Sequence, residues 1–226
     1  VKDGSEQEVW ERHWRSTAGP DALVGRIAST VRRQILSRAV AHYADRYFER
    51  GGVFVECGCG TGQASGRIDR GGRRLVALDF SPGALEQTRS VASFTDRLQA
   101  DIRSLPFRDA SVSGIWNLGV MEHFEASAGN EILSEFRRVL KPGACAILFW
   151  PPEFGSSRWV LAPVEWLVSR RRGQQFRVFP DEVNRLRSRR HAADTLRTAG
   201  LEPAAIDFTP RDAFIHMVVV ARRPAV

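Results

Sequence analysis

With 226 residues and 43% hydrophobic content, the chain is long enough for one α/β domain with appendages and too short for two full domains. Its longest apolar stretches fall far short of a spanning helix and no signal peptide is visible, which makes a cytoplasmic protein the expectation. The net charge is +7, and residues 151–199 alone hold ten arginines against five acids, so a partner selected by charge should be anionic.

Residues 1–20 are polar, with Trp10 and Trp14 spaced to share one helical face. Asp21 suits an N-cap, and the spacing of Leu23, Ile27, Val31, Ile35, Val40, Tyr43 and Tyr47 predicts a helix over 22–49 that ends at Gly51-Gly52. Short strands and helices then alternate. Strands are expected at 53–57, 75–79, 97–100, 112–118 and 144–150. A short helix is expected at 63–70, another at 82–93 capped by Ser81, and a third at 130–140 ended by Lys141-Pro142-Gly143. After Trp150 the rhythm breaks in a stretch rich in proline, tryptophan and arginine. A helix over 181–199 closes at Gly200, and 204–208 with 213–221 read as an antiparallel pair. The alternation predicts right-handed crossovers and a mainly parallel, doubly wound sheet covered on both faces. Residues 1–50 form an N-terminal helical cap to a domain at 51–226, within which 151–199 is an inserted cap.

The stretch Val53-Phe54-Val55-Glu56-Cys57-Gly58-Cys59-Gly60-Thr61-Gly62 runs from a β-branched strand through an acid into alternating glycines. It reads as a strand entering a cofactor-binding turn, followed by a helix whose first N–H groups are free for a ligand. The dinucleotide pattern GxGxxG fails here, because its third glycine would fall on Gln63 or Ser65, and no GxxxxGK[ST] phosphate loop exists. Three cysteines make a poor disulfide framework, and Cys57 with Cys59 lacks the second ligand pair a zinc site needs, so no metal is expected and the pair reads as packing.

What stands at the turn is ExGxGxG, and here the chain resembles the class I S-adenosylmethionine-dependent methyltransferases. Four further segments resemble that family's motifs in order: Leu75-Val76-Ala77-Leu78-Asp79-Phe80-Ser81, Ala100-Asp101-Ile102, Ile115 to Phe124 (IWNLGVMEHF), and Phe136 to Ala144 (FRRVLKPGA). The resemblance implies a Rossmann-like, seven-stranded sheet whose C-terminal strand is antiparallel. It implies S-adenosyl-L-methionine as cofactor, with S-adenosyl-L-homocysteine as product. Asp79 would accept the ribose hydroxyls, Asp101 the adenine amino group, and Ile102 would lie on the ring. Gly58, Cys59, Gly60, Phe80, Asn117 and Leu118 would complete the cofactor site. Glu56 also suits the cationic portion of a sulfonium cofactor on charge alone.

Methyl transfer needs alignment of a nucleophile, exclusion of water and sometimes removal of a proton. His123 is the histidine in the Asn117 to Phe124 stretch and the candidate base, with an ordinary pKa near ~6.5; the competing reading is a histidine that only shapes the pocket. Within the family the style is that of the small-molecule methyltransferases of ubiquinone and menaquinone biosynthesis. The expected acceptor is a small or a lipid- or sugar-linked anionic molecule. The apolar and arginine-rich residues 159–172 fit two readings equally, peripheral contact with an anionic membrane surface and a cap helix buried on the domain. RNA or protein methylation is the rival enzymatic reading, and a catalytically silent binding subunit the rival from another class.

Overall fold

The computed structural model describes Arg26, residues 29–156, Arg170 and residues 182–225. The expectations for Trp10, Trp14, 159–168 and Arg171-Arg172 lie outside the described residues. Seven strands form one sheet: β1 Val53–Cys57, β2 Arg74–Asp79, β3 Asp96–Gln99, β4 Val112–Leu118, β5 Leu140–Trp150, β6 Glu202–Asp207 and β7 Met217–Arg222. Their order is β3-β2-β1-β4-β5-β7-β6. β1 to β5 pair in parallel, while β7 runs antiparallel to both β5 and β6.

Alternate residues of the central strands feed two apolar layers, as the two-residue period of a strand requires. Phe54, Leu75, Ala77, Trp116, Ile147 and Phe149 face helix α1 (Ser37–Tyr47), which buries Val40 and Tyr43 against them. Val55, Cys57, Val76, Leu78, Ile115 and Leu148 face α3 (Ala126–Val139) and α4 (Arg189–Thr198), which contribute Ile132, Leu133, Phe136 and Leu196. The short α2 (Pro82–Gln87) follows β2 and is capped by the Ser81 hydroxyl, which accepts from the Ala84 N–H at 3.2 Å. Tyr43 reaches across to β6 and donates to Asp207 Oδ2 at 2.9 Å, tying α1 to the far edge of the sheet.

Four expectations need correction. The helix expected over 63–70 is a single 3-10 turn, Gln63–Ser65, entered from Gly62 in the left-handed region. Ala64 and Ile68 are both buried, which gives the pattern a helical spacing, yet the backbone bonds span three residues, from the Ser65 N–H to Gly62 O and from the Ile68 N–H to Ser65 O, and side chains add to them. Ser93 Oγ donates to Ser65 O and Trp116 Nε1 to Ser65 Oγ. The helix preceding β1 is wound as a π-helix over Arg32–Leu36 and stops at Tyr47. Lys141-Pro142-Gly143 does not separate helix from strand: α3 begins four residues earlier than expected, and β5 starts at Leu140. Pro142 disfavours a helical Lys141, and the register to β4 shifts between Val112 and Gly114 to absorb the extra residues. Finally, α4 begins at Arg189, where Ser188 Oγ accepts from the His191 N–H at 3.0 Å. Residues 182–187 instead form a strap, bridged in parallel from Leu186 to Pro152. Among the described residues no helix is long and apolar enough to cross a membrane.

Candidate active site

β1 and β4 are neighbours although they are not consecutive, and their connections leave to opposite sides of the sheet. This is the switch point of a doubly wound sheet, where loops at the carboxyl ends of the strands part to form a crevice. The glycine turn after β1, the acid ending β2 and the turn after β4 all open there.

Asp79 organises the first two. Its Oδ2 accepts from the Gly60 N–H and its Oδ1 from the Ser81 N–H, each at 2.9 Å, so one carboxylate fastens the glycine turn to the start of α2. The N–H groups of Gly58 and Cys59 both donate to Leu78 O. Gly58 has a φ of +72°, and a Cβ there would lie 2.8 Å from Val120 Cγ2, so the turn after β4 can press against the turn after β1 because residue 58 has no side chain. Cys57 and Cys59 are buried, and burial pushes both thiols well up, which keeps them protonated.

Glu56 is 2% exposed. Burial raises its carboxyl to about 8, against the opposing effect of hydrogen bonds from Ser65 and Trp116, and its Oε2 has no partner. On β4, Asn117 is fully buried and neither atom of its amide is hydrogen-bonded. Unpaired buried polar groups of this kind cost about 1–3 kcal/mol each, so their presence at the mouth of a crevice points to a ligand that pairs with them. The family resemblance gives Glu56 and Asn117 as site positions; the sequence carries no sign of the Ser65–Trp116 link that holds Glu56 in place.

Asp101 meets Arg103, whose Nε and Nη2 reach both carboxylate oxygens at 2.8–3.0 Å, while the Arg103 N–H donates to Oδ1. The Arg103 guanidinium also stands 5.7 Å from the centre of the Phe124 ring, linking the loop after β3 to the turn after β4. Ile102 is 6% exposed and packs in the same apolar layer as Leu105 and Met121. Phe80 and Leu118 are half-buried at the ends of β2 and β4.

The turn after β4 is the 3-10 segment Met121–His123. Burial lowers the His123 imidazole to about 4, well below its ordinary value, with Glu182 raising it and Arg185 lowering it to smaller extents. Glu122 beside it is 4% exposed, and burial lifts its carboxyl to about 8, leaving Oε2 unpaired. Its Oε1 lies 3.9 Å from His123 Nε2, so both groups are neutral near pH 7 and neither holds the other by an ion pair. The Glu122 carbonyl accepts from the N–H groups of Val183 and Asn184 at 2.7 and 3.0 Å, and Trp150 Nε1 donates to Asn184 O. The 182–187 strap is thereby seated directly on the turn that carries His123, a contact between distant parts of the chain that no local pattern announces.

A methyltransferase-domain family model matches residues 55–148, from β1 to β5. A malonyl-[acyl-carrier protein] O-methyltransferase of Erwinia pyrifoliae is 39% identical over 109 residues, covering 48% of this chain and 40% of that protein. A probable S-adenosylmethionine-dependent methyltransferase of Mycolicibacterium smegmatis is 29% identical over 120 residues, covering 53% of this chain and 44% of its own length. The alignments thus span less than half of these curated relatives. Among solved structures, the fold is shared with the Burkholderia thailandensis 1,6-didemethyltoxoflavin-N1-methyltransferase at a TM-score of 0.63 and 17% identity, covering 99% of this chain and 92% of that one. The segment matched in sequence, residues 55–148, coincides with the strands that build the switch-point crevice, and over that segment the chain is similar to methyltransferase domains.

Proposed function

We propose that the chain transfers a methyl group from S-adenosylmethionine to a small acceptor or one linked to a lipid or carrier. The observation that carries this reading is the set of buried polar atoms left unpaired at the β1–β4 switch point: Glu56 Oε2 and both atoms of the Asn117 amide. A cofactor with an ammonium and a sulfonium supplies the donor and cationic groups that Glu56 Oε2 and Asn117 Oδ1 lack, its carboxylate offers an acceptor for Asn117 Nδ2, and when bound it supplies a methyl carbon activated by the positive sulfur. Glu56 would then receive the ammonium, with backbone groups of Gly58, Cys59 and Gly60 beside it. Asp79 would receive the ribose; two backbone N–H donors do not exhaust a carboxylate's acceptor capacity of about four. Asp101 would share its carboxylate between Arg103 and the adenine amino group, with Phe80, Ile102 and Leu118 as apolar walls. The carrier- or lipid-linked acceptor is supported by the printed name of the Erwinia relative, over the part of that protein that aligns.

The test is calorimetry with S-adenosylmethionine, followed by transfer of labelled methyl groups into cell extract fractionated into lipid, carrier protein, sugar and RNA. Binding with label in the lipid or carrier fraction is the expected result. A flat calorimetric trace overturns the reading, and label confined to RNA overturns the acceptor class.

Glu56 makes this binding pH-dependent. In the empty site the carboxyl titrates at about 8 and is neutral below that, whereas an ammonium favours the carboxylate; binding at neutral pH must therefore expel a proton. Affinity should rise by up to about tenfold per pH unit between about pH 6 and 7.5. Calorimetry in buffers of different ionisation enthalpy should register the released proton. The Glu56→Gln variant should bind more weakly with a flat pH profile; a wild-type affinity unchanged across this range would remove Glu56 from the cofactor site.

A further inference from the structure

Among the described residues, the large apolar side chains left exposed are Phe154, Val183 and Phe214, at 51%, 52% and 41%. They come from three separate segments and lie at the same edge of the sheet. Phe154 follows the carboxyl end of β5 and Phe214 precedes the start of β7, which pairs antiparallel with that end at Trp150 and Met217. Val183 is hydrogen-bonded to the Glu122 carbonyl, beyond the carboxyl end of β4. This is also the edge at which the crevice opens.

The aromatic part of the rim is a fixed structure. Phe208 bridges Phe154 and Phe214, with ring centres 5.3 and 5.2 Å away. Phe214 and its neighbour Ala213 both have left-handed backbones, with φ of +57° and +58°, a conformation that carries a steric cost for residues with a Cβ. The loop is held in it by Ser156, whose N–H donates to Phe214 O and whose hydroxyl donates to Ala213 O. It is held again by Asp212, which is 1% exposed and accepts from the His216 N–H at 2.8 Å. In this strained, well-fastened loop Phe214 remains 41% exposed, so folding gains little from the ring beyond its contact with Phe208.

The exposed charges of these segments are mostly positive. In the segments that carry these side chains, 151–156, 182–190 and 208–216, the exposed ionisable residues are Arg187, Arg189, Arg190, Arg211 and a single acid, Glu153. Arg189 and Arg190 open α4, whose first turn has no acid, so two cations stand at the positive end of the helix dipole, where they weaken the helix. Arg187 lies 3.8 Å from Glu153 and Arg190 3.8 Å from Asp194, but these are exposed pairs of little worth to stability, so folding gains little from the excess of cations or from the exposed phenylalanines.

We propose that this rim docks on a lipid surface bearing anionic headgroups, with Phe154 and Phe214 entering the interface and the arginines meeting the headgroup charge. Exposed apolar side chains flanked by cations fit a bilayer, where both terms act together. The proposal extends the reading of a lipid-linked acceptor, since it would bring the crevice mouth to the membrane, but it stands without it.

The test is sedimentation of the full chain with vesicles of phosphatidylcholine alone and of an equimolar mixture with phosphatidylglycerol. The chain should sediment with the mixed vesicles and not with phosphatidylcholine. Phe154→Ser combined with Phe214→Asn, asparagine being tolerant of the left-handed backbone, should weaken this at least about tenfold. Arg187→Gln with Arg189→Gln and Arg190→Gln should weaken it by about fivefold per arginine and flatten its salt dependence. All five side chains are exposed, and S-adenosylmethionine calorimetry on the same samples reports that the fold is intact. Equal sedimentation of variants and wild type, no preference for the anionic vesicles, or retention on an acidic protein surface without vesicle binding would each overturn the proposal. Loss of vesicle binding with cofactor binding preserved in the variants is the supporting result.

Discussion

Replacing Asp79 by alanine is expected to lower S-adenosylmethionine affinity by about a hundredfold or more and to destabilise the fold at the same time. The two effects have different origins. The carboxylate accepts from the N–H groups of Gly60 and Ser81 inside a site where it is 4% exposed, so its removal strands two buried donors at about 1–3 kcal/mol each. The same carboxylate is the proposed acceptor for the ribose hydroxyls, and hydrogen bonds to a charged group contribute about 1.5–3 kcal/mol apiece. Asp79→Asn is not a mild change here. Its amide oxygen can serve one of the two backbone donors, but its NH2 must then face the other, donor against donor. Urea denaturation should show a lowered midpoint for both variants, and calorimetry well below that midpoint should show the loss of affinity. A variant that is less stable but binds S-adenosylmethionine with the wild-type constant would confine Asp79 to holding the glycine turn and sink the ribose assignment.

How far the sequence discloses this arrangement depends on the kind of pattern each part leaves. β1 and β4 fall where their apolar runs predict, because strands buried on both faces write themselves as continuous β-branched and aromatic stretches. The antiparallel β6–β7 pair is equally plain. The turn at Gln63–Ser65 is misread because Ala64 and Ile68 are buried four residues apart, which is the helical signature produced by another geometry. Glycines on either side, at 62 and 66, mark the limit of that pattern and are the signal that could have corrected it. The strap at 182–187 is misread for a different reason: its order comes from Leu186 bridging to Pro152 and from the Glu122 carbonyl, both supplied by residues far away in the chain.

The site shows the same division. The residue types that suit the cofactor are visible in order along the chain, but what burial does to them is not. Glu56 is read in the sequence as a charge facing the cofactor, and both it and Glu122 are neutral carboxyls in the fold, while His123 looks poised near neutrality and is held far from it. Asp101 is legible as an acid at the end of β3, yet its fork with Arg103 depends on a loop that folds back within two residues. A sequence gives the identity of a titratable group; its proton affinity belongs to the cavity around it.

That difference sets the expectation for His123. An imidazole pulled to about 4 by burial is unprotonated throughout the neutral range, so it can take a proton from the acceptor, though the imidazolium that results is poorly solvated. His123→Ala should therefore lower turnover by about a hundredfold, the lower end of the range for a general base, and leave S-adenosylmethionine affinity within about twofold. With S-adenosylmethionine kept saturating at each pH, the wild-type turnover should stay level from about pH 7 down to about pH 5 and fall only as His123 protonates near 4, rather than halving near 6.5. Two further variants separate chemistry from shape. His123→Asn keeps a hydrogen-bonding side chain of similar reach but cannot accept a proton at neutral pH, so it should be as slow as alanine. Glu122→Gln mimics a carboxyl that is already neutral below about 8 and should leave the neutral-pH rate nearly unchanged. If His123→Asn instead restores turnover with the true acceptor, the imidazole only shapes the pocket. In that case the methyl transfer proceeds by alignment alone, with the nucleophile arriving already deprotonated.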